Sequence, residues 1–187
     1  MEKVNRAQIM NLPNGLTIIR VIAIPVILAM LFTRGAAFQF VAALLFLLAS
    51  ITDTMDGYLA RRYGLVTTLG TFLDPLADKL LIVTTLIALI PSRDVPFWIV
   101  IVIVGREIAV TGLRGIVASQ GIVISASIWG KYKTVFEVAS ITALILGGNH
   151  PPINFHLTGM ILLWIALLLA VFSGVDYFKK FLKTIII

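Results

Sequence analysis

Of 187 residues, 59% are hydrophobic and 13% charged, about half the charged share of a soluble domain, which excludes a soluble globular protein and leaves room for six or seven membrane-spanning helices. The absence of cysteine excludes disulfides, thiolate nucleophiles and cysteine-bound metal. The net charge of +6 is not gathered into the long basic runs that nucleic acid prefers, so no nucleic acid is expected and anionic headgroups are the expected partners.

Taken in chain order, Val4, Ala7, Ile9 and Met10 among charged residues before Pro13 allow a short helix lying on the membrane surface. The first apolar stretch, 16–33, contains Arg20 and Pro25 and shows no convincing cleavage site, so it reads as a retained span. Further apolar stretches fall at about 37–59, 70–90, 95–118, 127–147 and 157–178. Short breaks part them at Thr33-Arg34-Gly35, Arg61 to Gly64, Pro91 to Asp94, Ser119-Gln120-Gly121 and Gly147 to Pro152. The expected fold is all-α, a polytopic membrane protein of six transmembrane helices in a compact bundle, forming one domain over 1–187 without linkers or repeats. With both termini in the cytosol, that side receives Lys3, Arg6, Arg61, Arg62, Arg114, Lys131, Lys133, Lys179, Lys180 and Lys183, against Arg34 and Arg93 outside, the asymmetry expected of cytosolic flanks.

An ionised aspartate in the bilayer costs several kcal/mol unless it is paired or coordinated, yet four gather here. Asp53 and Asp56 lie three residues apart at the end of the second stretch, and Asp74 and Asp78 four apart at the start of the third. Both spacings put a pair on one helical face, and the short connection between them sets the pairs at one depth. Four such charges need cations, and hard oxygen ligands select magnesium, manganese or calcium, with room for two ions. The plain alternative is a set of helix-end aspartates in water. It leaves unexplained Gly57, Ala60 and Gly70, small residues that let a ligand approach the backbone, or else serve close helix packing. Arg61 offers a fork for a diphosphate, whereas Arg62 marks the cytosolic boundary.

The fourth stretch carries Arg106, Glu107 and Arg114, and the fifth opens with Lys131 and Lys133. Arg106 and Arg114, eight apart, are near a shared face, and a basic cluster of this kind suits an acceptor that carries its own phosphate. The plain alternative pairs Arg106 with Glu107 or Glu137 and makes Arg114, Lys131 and Lys133 cytosolic flanks. His150 and His156 read as ordinary loop and interface residues. Trp98, Trp129 and Trp164 read as belt or packing aromatics. Lys79 snorkels or pairs with Asp78.

The run Asp53-x2-Asp56-Gly57-x2-Ala60-Arg61-x8-Gly70-x3-Asp74-x3-Asp78 resembles the signature of the CDP-alcohol phosphatidyltransferase family at every fixed position. The resemblance implies a six-helix membrane enzyme, usually a homodimer, whose aspartates bind two divalent cations, Mg2+ or Mn2+. These hold the diphosphate of a CDP-alcohol, and Asp78, the last aspartate, is the implied general base. Gly57, Ala60, Arg61 and Gly70 line the implied cytidine and diphosphate site. Asn11-Leu12-Pro13-Asn14 with Thr17 and Arg20 resembles the bacterial branch that makes phosphatidylglycerophosphate. So do the stretch from Phe72 to Lys79, Arg106-Glu107-Ile108 with Gly112-Leu113-Arg114, Trp129 to Thr134, and Ser173-Gly174 with Asp176-Tyr177. On that likeness Asn14 and Thr17 join the nucleotide site, and Arg106, Arg114, Lys131 and Lys133 hold the acceptor phosphate. CDP-diacylglycerol and sn-glycerol 3-phosphate are the implied substrates, and a multi-pass protein of the bacterial cytoplasmic membrane, with its active site facing the cytosol, is the implied setting.

Three rivals remain at this point. Another acceptor, such as inositol phosphate or serine, would use the same acidic frame. A membrane prenyltransferase also uses magnesium-bound aspartates but would leave Gly57, Ala60, Arg61 and Gly70 unexplained. A divalent-cation or phosphate transporter would place its carboxylates near the midplane, between paired broken helices.

Overall fold

The structure is a computed structural model that describes residues 12–33, 35–63, 68–119, 127–147, 149–150 and 153–186; the side chains of 12–14, 16, 53–63, 68–75, 149–150 and 184–186 fall outside that description. The described residues are almost wholly helical: α1 Leu12–Phe32, α2 Ala36–Tyr63, α3 Thr68–Arg93, α4 Phe97–Ser119, α5 Ile128–Leu146 and α6 Phe155–Ile186. Each matches one apolar stretch of the sequence. A two-stranded antiparallel ribbon, β1 Asn149–His150 with β2 Ile153–Asn154, closes the turn between α5 and α6. The expected surface helix before Pro13 lies outside the described residues.

The chain forms two units, Met1–Ser92 with α1 to α3 and Arg93–Ile187 with α4 to α6. In the first, α1 packs on α2, burying Ile24, Ile27 and Leu31 of α1 and Ala42, Ala43 and Phe46 of α2. In the second, α6 packs along α5 and against α4. The inner residues of α6 are Gly159, Leu163, Ala166, Leu167, Ala170, Ser173 and Tyr177. Several are small, as close helix approach in a bilayer requires. Its outer stripe is Leu157, Ile161, Trp164, Leu168, Val171, Phe172, Val175 and Phe178, all exposed. An apolar stripe facing outward reverses the pattern of a water-soluble helix.

By length and apolarity one helix among the described residues qualifies to cross a membrane, Phe155–Lys183; Thr17–Phe32 and Ala36–Thr52 are apolar but shorter. Helices α4 and α5 are long enough in residues but carry Arg106, Glu107 and Arg114, and Lys131, Lys133 and Glu137.

Two devices fix the α5–α6 hairpin. The Arg93 guanidinium donates to the carbonyls of Leu144 (2.9 Å) and Ile145 (3.1 Å), placing a cation at the negative end of α5. Gly147 ends that helix at φ +45°, and a Cβ there would collide with the same guanidinium. His156, expected to be an ordinary interface residue, has Nε2 3.0 Å from the Arg93 carbonyl oxygen. Further along, a Cβ on Gly159 would lie 2.7 Å from Leu144 Cγ and 3.0 Å from Leu144 N, while the Ser140 hydroxyl donates to the Gly159 carbonyl (2.8 Å). Because one obstacle is backbone, α5 itself must shift to admit a methyl group. Gly159→Ala is therefore expected to destabilise the protein by about 1–3 kcal/mol, read as a lowered melting temperature in detergent. Gly105→Ala, with nothing within 4 Å of the added Cβ, is expected to be neutral or stabilising.

Candidate active site

Helix α2 carries Asp53 and Asp56 and helix α3 carries Asp74 and Asp78. On these helical backbones, spacings of three and four residues put each pair on one face. Carboxylates are hard-oxygen donors, the residue type that suits magnesium or manganese. The side chains of Asp53, Asp56, Asp74, Gly57, Ala60, Arg61, Gly70 and Asn14 fall outside the description. Among the described residues no group of three or more potential metal ligands stands together.

Asp78 is the described member of the four, and its setting was not legible in the sequence. Its Oδ1 accepts from Arg20 Nη1 at 2.7 Å, where Arg20 is 2% exposed and the aspartate side chain 29%. The pair joins α1 to α3 across 58 residues, giving the buried arginine its countercharge and fixing which way the carboxylate points. The signal available was Arg20 itself, an arginine in an apolar stretch that demands an anionic partner. Thr17, one turn before it, is buried at 3%.

The second cluster lies in the Arg93–Ile187 unit. Arg106 and Glu107 come from α4, Lys133 and Glu137 from α5, and Ser173 and Tyr177 from α6. Arg106 Nη1 donates to Glu107 Oε1 at 2.5 Å and Nη2 to the Ser173 hydroxyl at 2.8 Å. The same Glu107 Oε1 takes Lys133 Nζ at 2.7 Å, and Lys133 Nζ lies 2.5 Å from Glu137 Oε2. That last contact is an ion pair whose angles are not those of a hydrogen bond, and Glu137 is wholly buried. A carboxylate so placed depends on its lysine, because an uncompensated charge there would be strongly destabilising.

Tyr177, 4% exposed, joins the two arginines. Its hydroxyl accepts from Arg114 Nη2 at 2.8 Å and from Ser127 N at 3.2 Å. Its ring lies 5.1 Å from the Arg114 guanidinium carbon and 5.9 Å from that of Arg106, within cation–π range. Ser127 also caps α5 by accepting from Gly130 N at 3.1 Å. Gly174 lets the Arg106 stem pass, since a Cβ there would lie 3.2 Å from Arg106 Cγ.

Arg106, Arg114 and Lys133, predicted to act together, therefore meet in one network, while Lys131 is exposed on the first turn of α5. The expected alternative pairing of Arg106 with Glu107 is present, with Lys133 as a third member. Lys133 is buried at 1% and stands inside the network, where a solvated flank had been the alternative. Trp129 is exposed and lines a mainly apolar groove with Ile165, Leu168, Leu169, Phe172 and Asp176. Trp98 and Trp164 form an edge-to-face pair with centroids 5.3 Å apart, the packing role expected of them.

A model of CDP-alcohol phosphatidyltransferases matches residues 10–172. The chain belongs to the CDP-alcohol phosphatidyltransferase family. It is 43% identical to a CDP-diacylglycerol–glycerol-3-phosphate 3-phosphatidyltransferase of Rickettsia bellii, covering 90% of this chain and 94% of the relative. It is 41% identical to the protein of that name from Bacillus subtilis, over 91% of this chain and 94% of the relative. A probable phosphatidylglycerophosphate synthase of Mycobacterium tuberculosis is 42% identical over 96% of this chain and 86% of its own length. The family match covers the four aspartates and Arg106, Glu107, Arg114, Lys133 and Glu137, and Ser173 and Tyr177 follow it directly.

Proposed function

We propose that the chain transfers the phosphatidyl group of CDP-diacylglycerol to sn-glycerol 3-phosphate, forming phosphatidylglycerophosphate and releasing CMP, a step of phospholipid biosynthesis. The observation that carries this reading is the likeness over nine-tenths of the chain to relatives named for that reaction. The arginine network supports it, since an acceptor that brings its own phosphate needs arginines held in place to receive it.

Asp53, Asp56, Asp74 and Asp78 would hold two divalent cations, magnesium or manganese, which when bound would supply positive charge to neutralise the diphosphate and the departing CMP. Arg61 grips the diphosphate, and Asn14, Thr17, Gly57, Ala60 and Gly70 line the nucleotide. Asp78, aimed by Arg20, takes the proton of the glycerol hydroxyl. The freed oxygen bonds to the lipid-side phosphorus as the bond from that phosphorus to the CMP oxygen breaks. Arg106, Arg114, Lys131 and Lys133 supply the positive charge for the acceptor phosphate, Arg106 and Arg114 by direct contact.

The chain spans the membrane six times with both termini and the active site in the cytosol, and it works as a homodimer in the bacterial cytoplasmic membrane. The outward apolar stripe of α6 and the exposed Ile101, Ile108 and Ile116 of α4 support a lipid setting, because water would penalise such faces. The acyl chains of the donor stay in the bilayer while the soluble acceptor arrives from the cytosol.

The test is conversion of labelled glycerol 3-phosphate into organic-extractable lipid by the purified protein. Label is expected in lipid with CDP-diacylglycerol and Mg2+ or Mn2+ present, to disappear with EDTA, and to return when metal is restored. Labelled lipid formed in EDTA would sink the metal-dependent mechanism.

A further inference from the structure

Lys133 is too deeply set to meet an incoming phosphate. Its side chain is 2% exposed and its ammonium is taken by two carboxylates, Glu107 at 2.7 Å and Glu137 at 2.5 Å. Arg106 and Glu107 are less deeply set, with 12% and 18% of their side chains exposed. One oxygen, Glu107 Oε1, binds both Arg106 Nη1 and Lys133 Nζ. It therefore occupies a place on the arginine where a phosphate oxygen would bind.

We propose that Glu107 is a positioning residue that holds Arg106 while the acceptor site is empty and hands it over when the acceptor phosphate arrives, Lys133 retaining the displaced carboxylate. This rests on the acceptor-site reading above. A buried arginine without an anion is costly, and so is a carboxylate stripped of its cation. The shared oxygen avoids both, because Glu107 keeps Lys133 when Arg106 turns to the phosphate. Glu137 anchors Lys133 from the other side, and Ser173 holds the second arginine nitrogen at 2.8 Å, so the guanidinium changes partner without leaving its place. Lys133 acts on the acceptor through Glu107.

The test uses the full chain in detergent, calorimetric titration with glycerol 3-phosphate and with inorganic phosphate, and steady-state kinetics with CDP-diacylglycerol. Glu107→Gln keeps the size and an acceptor oxygen but loses the charge that competes for Arg106. Kd for both probes and KM for glycerol 3-phosphate are expected to fall about three- to tenfold, roughly the net worth of one hydrogen bond, with KM for CDP-diacylglycerol unchanged. The paired change Lys133→Met with Glu137→Gln, which keeps the buried charge balanced, is expected to raise the same constants by a similar factor. It is expected to have no further effect once Glu107 is glutamine, the coupling that action through Glu107 requires. A network that is only structural would lower the melting temperature in each variant and leave Kd alone.

Unchanged or weaker phosphate binding by Glu107→Gln overturns the proposal, as does an absence of phosphate binding by both wild type and this variant. Should Glu107→Gln fail to fold, Glu107→Asp, which draws the carboxylate back by one methylene, is expected to shift Kd in the same direction, and an unchanged or raised Kd overturns the proposal equally. Wild-type protein that makes no CMP with glycerol 3-phosphate would remove the acceptor reading. The inorganic phosphate titrations would then still decide the handover, tighter binding by Glu107→Gln supporting it.

Discussion

Asp53→Asn, Asp56→Asn and Asp74→Asn are each expected to lower turnover to below about a tenth of wild type while the protein still inserts and extracts normally, since loss of a metal ligand costs at least a factor of about 10 to 100. Asparagine keeps the size and one oxygen, so the change reads charge. Asp78→Asn is expected to be as severe in rate, and it carries a second cost. It removes a countercharge of Arg20, which is 2% exposed, so its melting temperature is expected to fall. Turnover above about a tenth of wild type in Asp53, Asp56 or Asp74 variants would undermine the two-metal assignment. An Asp78→Asn protein with unchanged melting temperature would mean that the Arg20 pair contributes little to stability.

The next largest effects divide the substrates between the clusters. Arg106→Ala and Arg114→Ala are expected to raise KM for glycerol 3-phosphate far more than KM for CDP-diacylglycerol, and Arg61→Ala to do the reverse. A charged hydrogen bond to phosphate is worth about 1.5–3 kcal/mol, roughly one to two powers of ten in binding. Lysine replacements should rescue only in part. They restore the charge but cannot form the fork that lets Arg106 hold Glu107 and Ser173 at once. Variants of Arg106 and Arg114 that keep wild-type acceptor kinetics and only lose stability would make the network structural, and the case for a phosphorylated acceptor would then rest on family likeness alone.

What the sequence disclosed and what it withheld have separate physical causes. Apolar runs locate each helix, because lipid depth demands them, but they stop where polarity returns. Hydrogen bonding carries α2 on to Tyr63, α3 to Arg93 and α6 to Ile186, beyond the apolar ends at about 59, 90 and 178. The ribbon around Pro151 and Pro152 is too short to leave a periodic pattern. Six spans were expected, while one helix among the described residues meets a strict length and charge criterion; α4 and α5 fall short through the charges that build the network. Those charges stood out because lipid penalises them, and the eight-residue spacing of Arg106 and Arg114 did place both on Tyr177. Glu107 was readable as a partner of Arg106, but the partners on α6 were not. Ser173 and Tyr177 lie 67 and 63 residues away in sequence, and a lysine on the first turns of a helix has the same appearance in sequence whether it faces water or two carboxylates.

The most direct test of the central claim supplies purified protein with labelled CDP-diacylglycerol and Mg2+ and offers glycerol 3-phosphate, serine, inositol phosphate and diacylglycerol in separate reactions. CMP release is expected with glycerol 3-phosphate alone, and with it a lipid product carrying one additional phosphate. CMP release with serine, inositol phosphate or diacylglycerol, and none with glycerol 3-phosphate, would contradict the assignment.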